Sequence, residues 1–141
     1  PYGGRNFEYA SEDGFLTGIM MASETKAMSK NGVIPAPKHL FGNEQETNRS
    51  GACTFMTEQI AREVYLRAFE LSFTIGECRG AMLAMNRIGC KMSPVAKTTL
   101  TNILKGEWGF KGILVTDSSG AENDKIPTVE SILAGTGMLY A

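Results

Sequence analysis

Carboxylate, imidazole and cationic side chains recur in this chain at one kind of place, just past a short apolar run. Asp117 follows Ile113-Leu-Val-Thr116. Lys38-His39 follows Val33-Ile34, and Asn86-Arg87 follows Ala81-Met-Leu-Ala-Met85. An acid at the end of a buried strand is a reactive atom on a rigid support, which is where α/β folds place chemistry. Such a carboxylate can attack or stabilise an electron-poor carbon, while Lys, Arg and His donate hydrogen bonds to hydroxyl groups. The set suits a polyhydroxylated ligand. Plainer readings stand beside this one. Asp117 can simply cap the following turn, and His39, the only histidine, can be a packed structural residue.

The elements that must hold these groups alternate between helical and strand-like patterns, the α/β signature. Ser11-Glu-Asp13 precedes a helix predicted over Phe15–Lys30, with Leu16, Ile19, Met20 and Ala27 on its apolar face and Asn31-Gly32 as its stop. A short strand begins at Val33-Ile34, weakened by Pro35 and Pro37, and a polar loop covers Gly42 to Thr54. Thr57 caps a second helix from Glu58 to about Phe73, with Ile60, Val64, Ala68 and Leu71 in register. Ala81–Met85 reads as a buried strand. Ser93-Pro94 opens a third helix that buries Leu100, Ile103 and Leu104 and ends at Gly106. A strand over Gly112–Thr116, a helix over Pro127–Ala134 and a last strand at Met138–Tyr140 complete the pattern. The prediction is α/β: about four βα units in one direction, a partial (β/α)8 TIM barrel, or about half of a domain that typically takes about 250 residues.

The whole of 1–141 reads as a fragment of one such barrel domain. It is 43% hydrophobic and 21% charged with a net charge of −1, which argues against nucleic-acid and anionic-membrane binding. No apolar run approaches the roughly 20 residues of a spanning helix. The start at Pro1 and Tyr-Gly-Gly carries no signal peptide and looks internal. Cys53, Cys78 and Cys90 fit no metal or CxxC spacing and read as free thiols. With no visible signal peptide they favour a cytoplasmic protein, the compartment remaining open. Gly3-Gly4 is not a phosphate loop. Arg5 with Glu8 reads as a surface ion pair, the run Glu44 to Arg49 as a solvated loop, and Trp108 and Phe110 as core anchors.

Taken in order, Gly4-Arg-Asn-Phe-Glu-Tyr-Ala-Ser-Glu-Asp13, Lys38-His39, Asn43-Glu-Gln-Glu-Thr-Asn-Arg49, Ala61-Arg-Glu-Val-Tyr-Leu66, Asn86-Arg87 and Leu104-Lys-Gly-Glu-Trp-Gly-Phe…Val-Thr-Asp117 resemble the N-terminal barrel domain of glycoside hydrolase family 3, in its β-glucosidase-like branch. The resemblance covers essentially the whole chain. It implies a retaining, exo-acting hydrolase of terminal β-D-glucosyl residues with no cofactor and no metal. Asp117 matches the family's nucleophile. Its acid/base Glu comes from a second domain, outside this chain. Arg5, Lys38 and His39 match residues that hydrogen-bond the sugar, and Asn86-Arg87 follows the family's Tyr-Asn-Arg pattern. Met85 stands where the family usually has that Tyr, Ser118 where it has Trp, and Gly137 where it has Asp. The loop Lys38-His-Leu-Phe-Gly-Asn-Glu-Gln-Glu46 has no second His, unlike relatives that cleave N-acetylglucosamine, which favours glucosidase or xylosidase substrates.

Two other readings complete the set. Met85, Ser118 and Gly137 favour a degenerate sugar-binding half-barrel that does not cleave. An aspartyl-phosphate or metal-dependent phosphoryl-transfer domain would use Asp117 with Asp124 nearby, but lacks a second acidic pair. A half-barrel exposes strand edges and an apolar face, so the chain is expected to need the rest of its barrel and a C-terminal domain, or to self-associate.

Overall fold

The computed structural model describes residues 3–118 and 126–140. Its centre is a parallel pair, β2 (Gly80–Leu83) and β5 (Ile113–Thr116), in register Ala81↔Leu114 and Leu83↔Thr116. Single bridges extend it on both sides, Leu40 to Leu83 and Val115 to Met138, both parallel. Four chain segments thus lie side by side in chain order, separated by helices. A second sheet takes β1 (Cys53–Thr54), β3 (Arg87–Ile88) and β4 (Lys91–Met92) in the order β1-β3-β4. The α/β expectation holds, as mixed helices and two small sheets.

The strand expected at Val33-Ile34 is absent. Both residues are exposed, and Pro35 and Pro37 have no N–H to give to a ladder. The pairing moves downstream, where Met82 N donates to Pro37 O at 3.0 Å, Leu40 N to Met82 O at 2.8 Å and Ala84 N to Leu40 O at 2.7 Å. The second sheet lies partly in what reads from sequence as a polar loop.

The first helix runs Gly14–Lys30, capped by Asp13, whose carboxylate accepts from Leu16 N at 2.7 Å. Its buried side is not the expected Leu16, Ile19, Met20 and Ala27, which are exposed, but Gly18, Ala22 and Thr25. The reason is close approach. A Cβ on Gly18 would sit 2.5 Å from Leu71 Cδ1, and one on Gly14 would collide with the Val64 carbonyl. Small residues form the seam with the second helix, and the larger apolar ones face outward. That second helix, 58–74, is capped by Thr57 and winds as a π-helix over Ala61–Tyr65. The extra residue in the turn rotates the buried face, so Leu66, Leu71 and Phe73 are inside while Ile60 and Val64 are exposed.

The third helix, Thr98–Glu107, follows a short turn at Ser93–Val95 and buries Leu100, Ile103 and Leu104 as expected. The fourth, Thr128–Ala134, ends at Gly135 with φ +110°. The main core joins Leu40, Leu66, Leu83, Leu100, Leu104 and Leu114. Phe73 stacks at a tilt on Phe110, with ring centroids 4.6 Å apart, and near Trp108, 6.2 Å away.

Gly112 touches the backbone of Arg79, at the point where Ile113 N donates to Arg79 O at 2.8 Å. A Cβ there would overlap main chain that cannot rotate away. Gly112→Ala is expected to destabilise the domain by about 1–3 kcal/mol. Gly106→Ala, where a Cβ meets only Thr101 O at 3.4 Å, should be neutral or mildly stabilising. Denaturant midpoints of the two variants check this pair of opposite signs.

Candidate functional site

Four chain segments bring the site together. β5 delivers Asp117, the segment ending at Leu40 delivers Lys38 and His39, the turn at Asn6–Glu8 delivers Arg5, Glu8 and Tyr9, and the loop 43–49 delivers Glu46 and Arg49. The Lys38–His39 and Leu40–Phe41 peptide bonds are cis. Asp117 Oδ2 lies 3.5 Å from His39 Nε2 and 3.9 Å from Arg49 Nη1. His39 is 4% exposed. Its Nε2 also lies 3.3 Å from Arg5 Nη2, and its Nδ1 lies 2.7 Å from the Tyr9 hydroxyl.

Around this centre the charges are tied pairwise. Arg5 donates from Nε to Glu8 Oε1 at 2.7 Å and from Nη2 to Glu8 Oε2 at 2.9 Å, a bidentate fork. Lys38 Nζ donates to the same Glu8 Oε2 at 2.7 Å. Glu46 accepts from Arg49 Nη1 at 3.2 Å and from Asn43 Nδ2 at 2.8 Å, and lies 3.6 Å from Arg5 Nη1.

These contacts set the protonation states. Hydrogen bonds from Arg5 and then Lys38 hold Glu8 down at about 2, and the hydrogen bond to Glu8 raises Arg5. Burial pushes His39 down to about 4, against the opposing pull of Asp117. The imidazole is therefore neutral at pH 7.

Of the residues expected in the site, Asp117, Arg5, Lys38 and His39 converge. Met85 is 1% exposed and packs with Met92 and Ile126. Arg87 donates from Nε to Ser50 O at 2.9 Å and from Nη1 to Cys90 O at 3.2 Å; no contact joins it to Asp117 among the described residues. Asn86 donates from Nδ2 to Gly42 O at 3.1 Å, and its buried Oδ1 has no partner among the described residues. Asp124 lies outside the described residues. Three cysteines are free. No helix among the described residues is long and apolar enough to cross a membrane.

Sequence reasoning assigned no site role to Glu8, Tyr9, Glu46 or Arg49. Their signal is the repeated three-residue spacing, Arg5 with Glu8 and Glu46 with Arg49, which on its own looks like any surface pair. A cavity of about 740 Å³ opens beside Arg5, Glu8, Tyr9, Lys38 and His39 and runs along the first helix; Asp117 does not line it.

Fold and site together define an α/β domain in which Asp117, His39 and Lys38, carried by parallel segments, meet Arg5, Glu8, Glu46 and Arg49 from neighbouring turns. The chain belongs to glycosyl hydrolase family 3, whose N-terminal domain model matches residues 1–134. It is 39% identical over 117 residues to β-glucosidase A of Butyrivibrio fibrisolvens, covering 83% of this chain and 14% of that protein. It is 37% identical over 135 residues to β-glucosidase B of Emericella nidulans, covering 96% and 16%. Among solved structures, β-glucosidase 3B from Thermotoga neapolitana in complex with glycerol matches with a TM-score of 0.89 at 36% identity, over 99% of this chain and 19% of that one. The β-glucosidase from Kluyveromyces marxianus in complex with glucose matches with a TM-score of 0.92 at 29% identity, over 99% and 16%. The chain thus spans about a seventh of the length of these curated relatives.

Proposed function

We propose that this chain is the nucleophile-bearing part of a retaining, exo-acting β-glycosidase that hydrolyses terminal β-D-glucosyl residues. The observation that carries the proposal is Asp117 at the end of β5, facing His39 and Arg49 at 3.5 and 3.9 Å. In this mechanism an Asp117 oxygen bonds to the anomeric carbon as the bond to the leaving-group oxygen breaks. A carboxylic acid about 5 Å away, outside this chain, protonates that oxygen. Water then cleaves the glycosyl ester, giving its proton to the same group. Arg5, Lys38 and His39 donate to the sugar hydroxyls, and Arg49 Nη1 lies 3.9 Å from Asp117 Oδ2.

The four parallel segments in chain order support reading the fold as about half of an eight-fold barrel. On that reading the remaining strands and a further domain are needed for turnover, and the isolated chain is a poor catalyst. A sugar-binding domain without turnover is the second reading. Met85, buried among apolar neighbours, supports it, because it brings no hydroxyl to orient the nucleophile. Xylosidase-type specificity is the third. A 2-fluoro glucoside inactivator applied to the intact protein is expected to esterify Asp117, read by peptide mass spectrometry. Labelling of another carboxylate overturns the assignment, and robust turnover of an aryl β-glucoside removes the binding-only reading.

A further inference from the structure

His39 faces two neighbours that make opposite demands on one nitrogen. Arg5 Nη2, 3.3 Å from Nε2, can only donate, so it needs the Nε2 lone pair. Asp117 Oδ2, 3.5 Å from the same atom, is an acceptor and needs Nε2–H. A neutral imidazole carries one N–H, so only one demand is met at a time, and what sits on Nδ1 decides which. A carboxylate or backbone carbonyl at Nδ1 would fix the tautomer with Nδ1–H. Here the group is the Tyr9 hydroxyl at 2.7 Å, with its ring tilted 56° to the imidazole. A phenol both donates and accepts.

We propose that Tyr9 is a positioning residue acting through His39. Its hydroxyl reverses its hydrogen bond with Nδ1, so that Nε2 accepts from Arg5 in the empty site and donates to a sugar hydroxyl or to Asp117 in the loaded one. The step moves one proton between the ring nitrogens and changes no covalent partner elsewhere. The proposal rests on the reading of His39 as a sugar ligand.

The test is a double-mutant cycle in the intact protein with an aryl β-glucoside. His39→Ala comes first: if it leaves kcat/KM unchanged, the sugar-ligand reading fails and the proposal fails with it. If it lowers kcat/KM, Tyr9→Phe is expected to lower kcat/KM about tenfold beside His39, the scale of one lost hydrogen bond. In the His39→Ala background the same change should do less than twofold. Equal losses in both backgrounds, or a loss under twofold beside His39, overturn the role of Tyr9 while leaving His39 as a ligand. Should Tyr9→Phe not fold, 3,5-difluorotyrosine at position 9, assayed at a pH low enough to keep its more acidic phenol protonated, keeps the shape and weakens the oxygen as an acceptor. It is expected to change turnover only beside His39, and no change there overturns the proposal.

Discussion

Asp117→Asn in the intact protein is expected to lower kcat for an aryl β-glucoside by on the order of 10⁴-fold, the scale of losing one member of a catalytic unit. An amide is a poor nucleophile and makes no stable glycosyl ester. The fold should be indifferent, because among the described residues Asp117 makes two long contacts, with His39 and Arg49. The loss should therefore come with an unchanged unfolding midpoint. The change also reaches His39, whose imidazole is held near 4 by burial against the opposing charge of Asp117. Without that charge it falls further and stays neutral. Well above pH 4 the imidazole is neutral in both variant and parent, so its protonation adds nothing to the difference between them. A loss under tenfold would exclude Asp117 as the attacking group.

Glu8→Ala should lower kcat/KM about 100-fold, although Glu8 touches no reacting atom. Its carboxylate holds the Arg5 fork at 2.7 and 2.9 Å and Lys38 at 2.7 Å. Removing it frees two long side chains together and leaves Arg5 with only the longer 3.6 Å ion pair to Glu46 among the described residues. Misplacing positioning groups by about 1 Å can cost about 10²-fold. Glu8→Gln keeps one acceptor oxygen and should fall between, near tenfold. Because Glu8 is held at about 2, it stays charged from there upward, and the acid limb of the parent's pH profile above pH 3 belongs to other groups. Steady-state kinetics of both variants across pH 4–8 check the ranking, and an unaffected Glu8→Ala would return Glu8 to the status of a surface ion pair.

The sequence made the α/β class and Asp117 visible because apolar runs and helix stops place strand ends to within a few residues, whereas Lys38 and His39 lie within a pairing segment downstream of the strand expected at Val33-Ile34. It misplaced the outward face of the first helix. Period alone cannot tell an apolar stripe that packs from one that a glycine seam turns outward, as Gly18 and Ala22 do against Leu71. It misplaced Ile60 and Val64 because the π-turn over Ala61–Tyr65 breaks the regular repeat on which that face was read. Arg49 and Glu46 were hidden for a different reason. Their stretch has no apolar pattern, and only pairing in space separates a charged loop from a charged wall. Arg87 shows the converse, a strand-end cation that the fold spends on two backbone carbonyls.

The paired contacts around His39 have one more consequence. Arg5, Lys38 and Arg49 face Glu8, Glu46 and Asp117, and the imidazole is uncharged, so the cluster is close to electroneutral. It exerts little net pull on a distant ion and selects by the direction of its hydrogen bonds rather than by attraction. A phosphorylated or sulfated sugar would meet Glu8 and Glu46 as strongly as it met Arg5. An unmodified sugar meets only donors and acceptors, and its binding should be nearly insensitive to ionic strength.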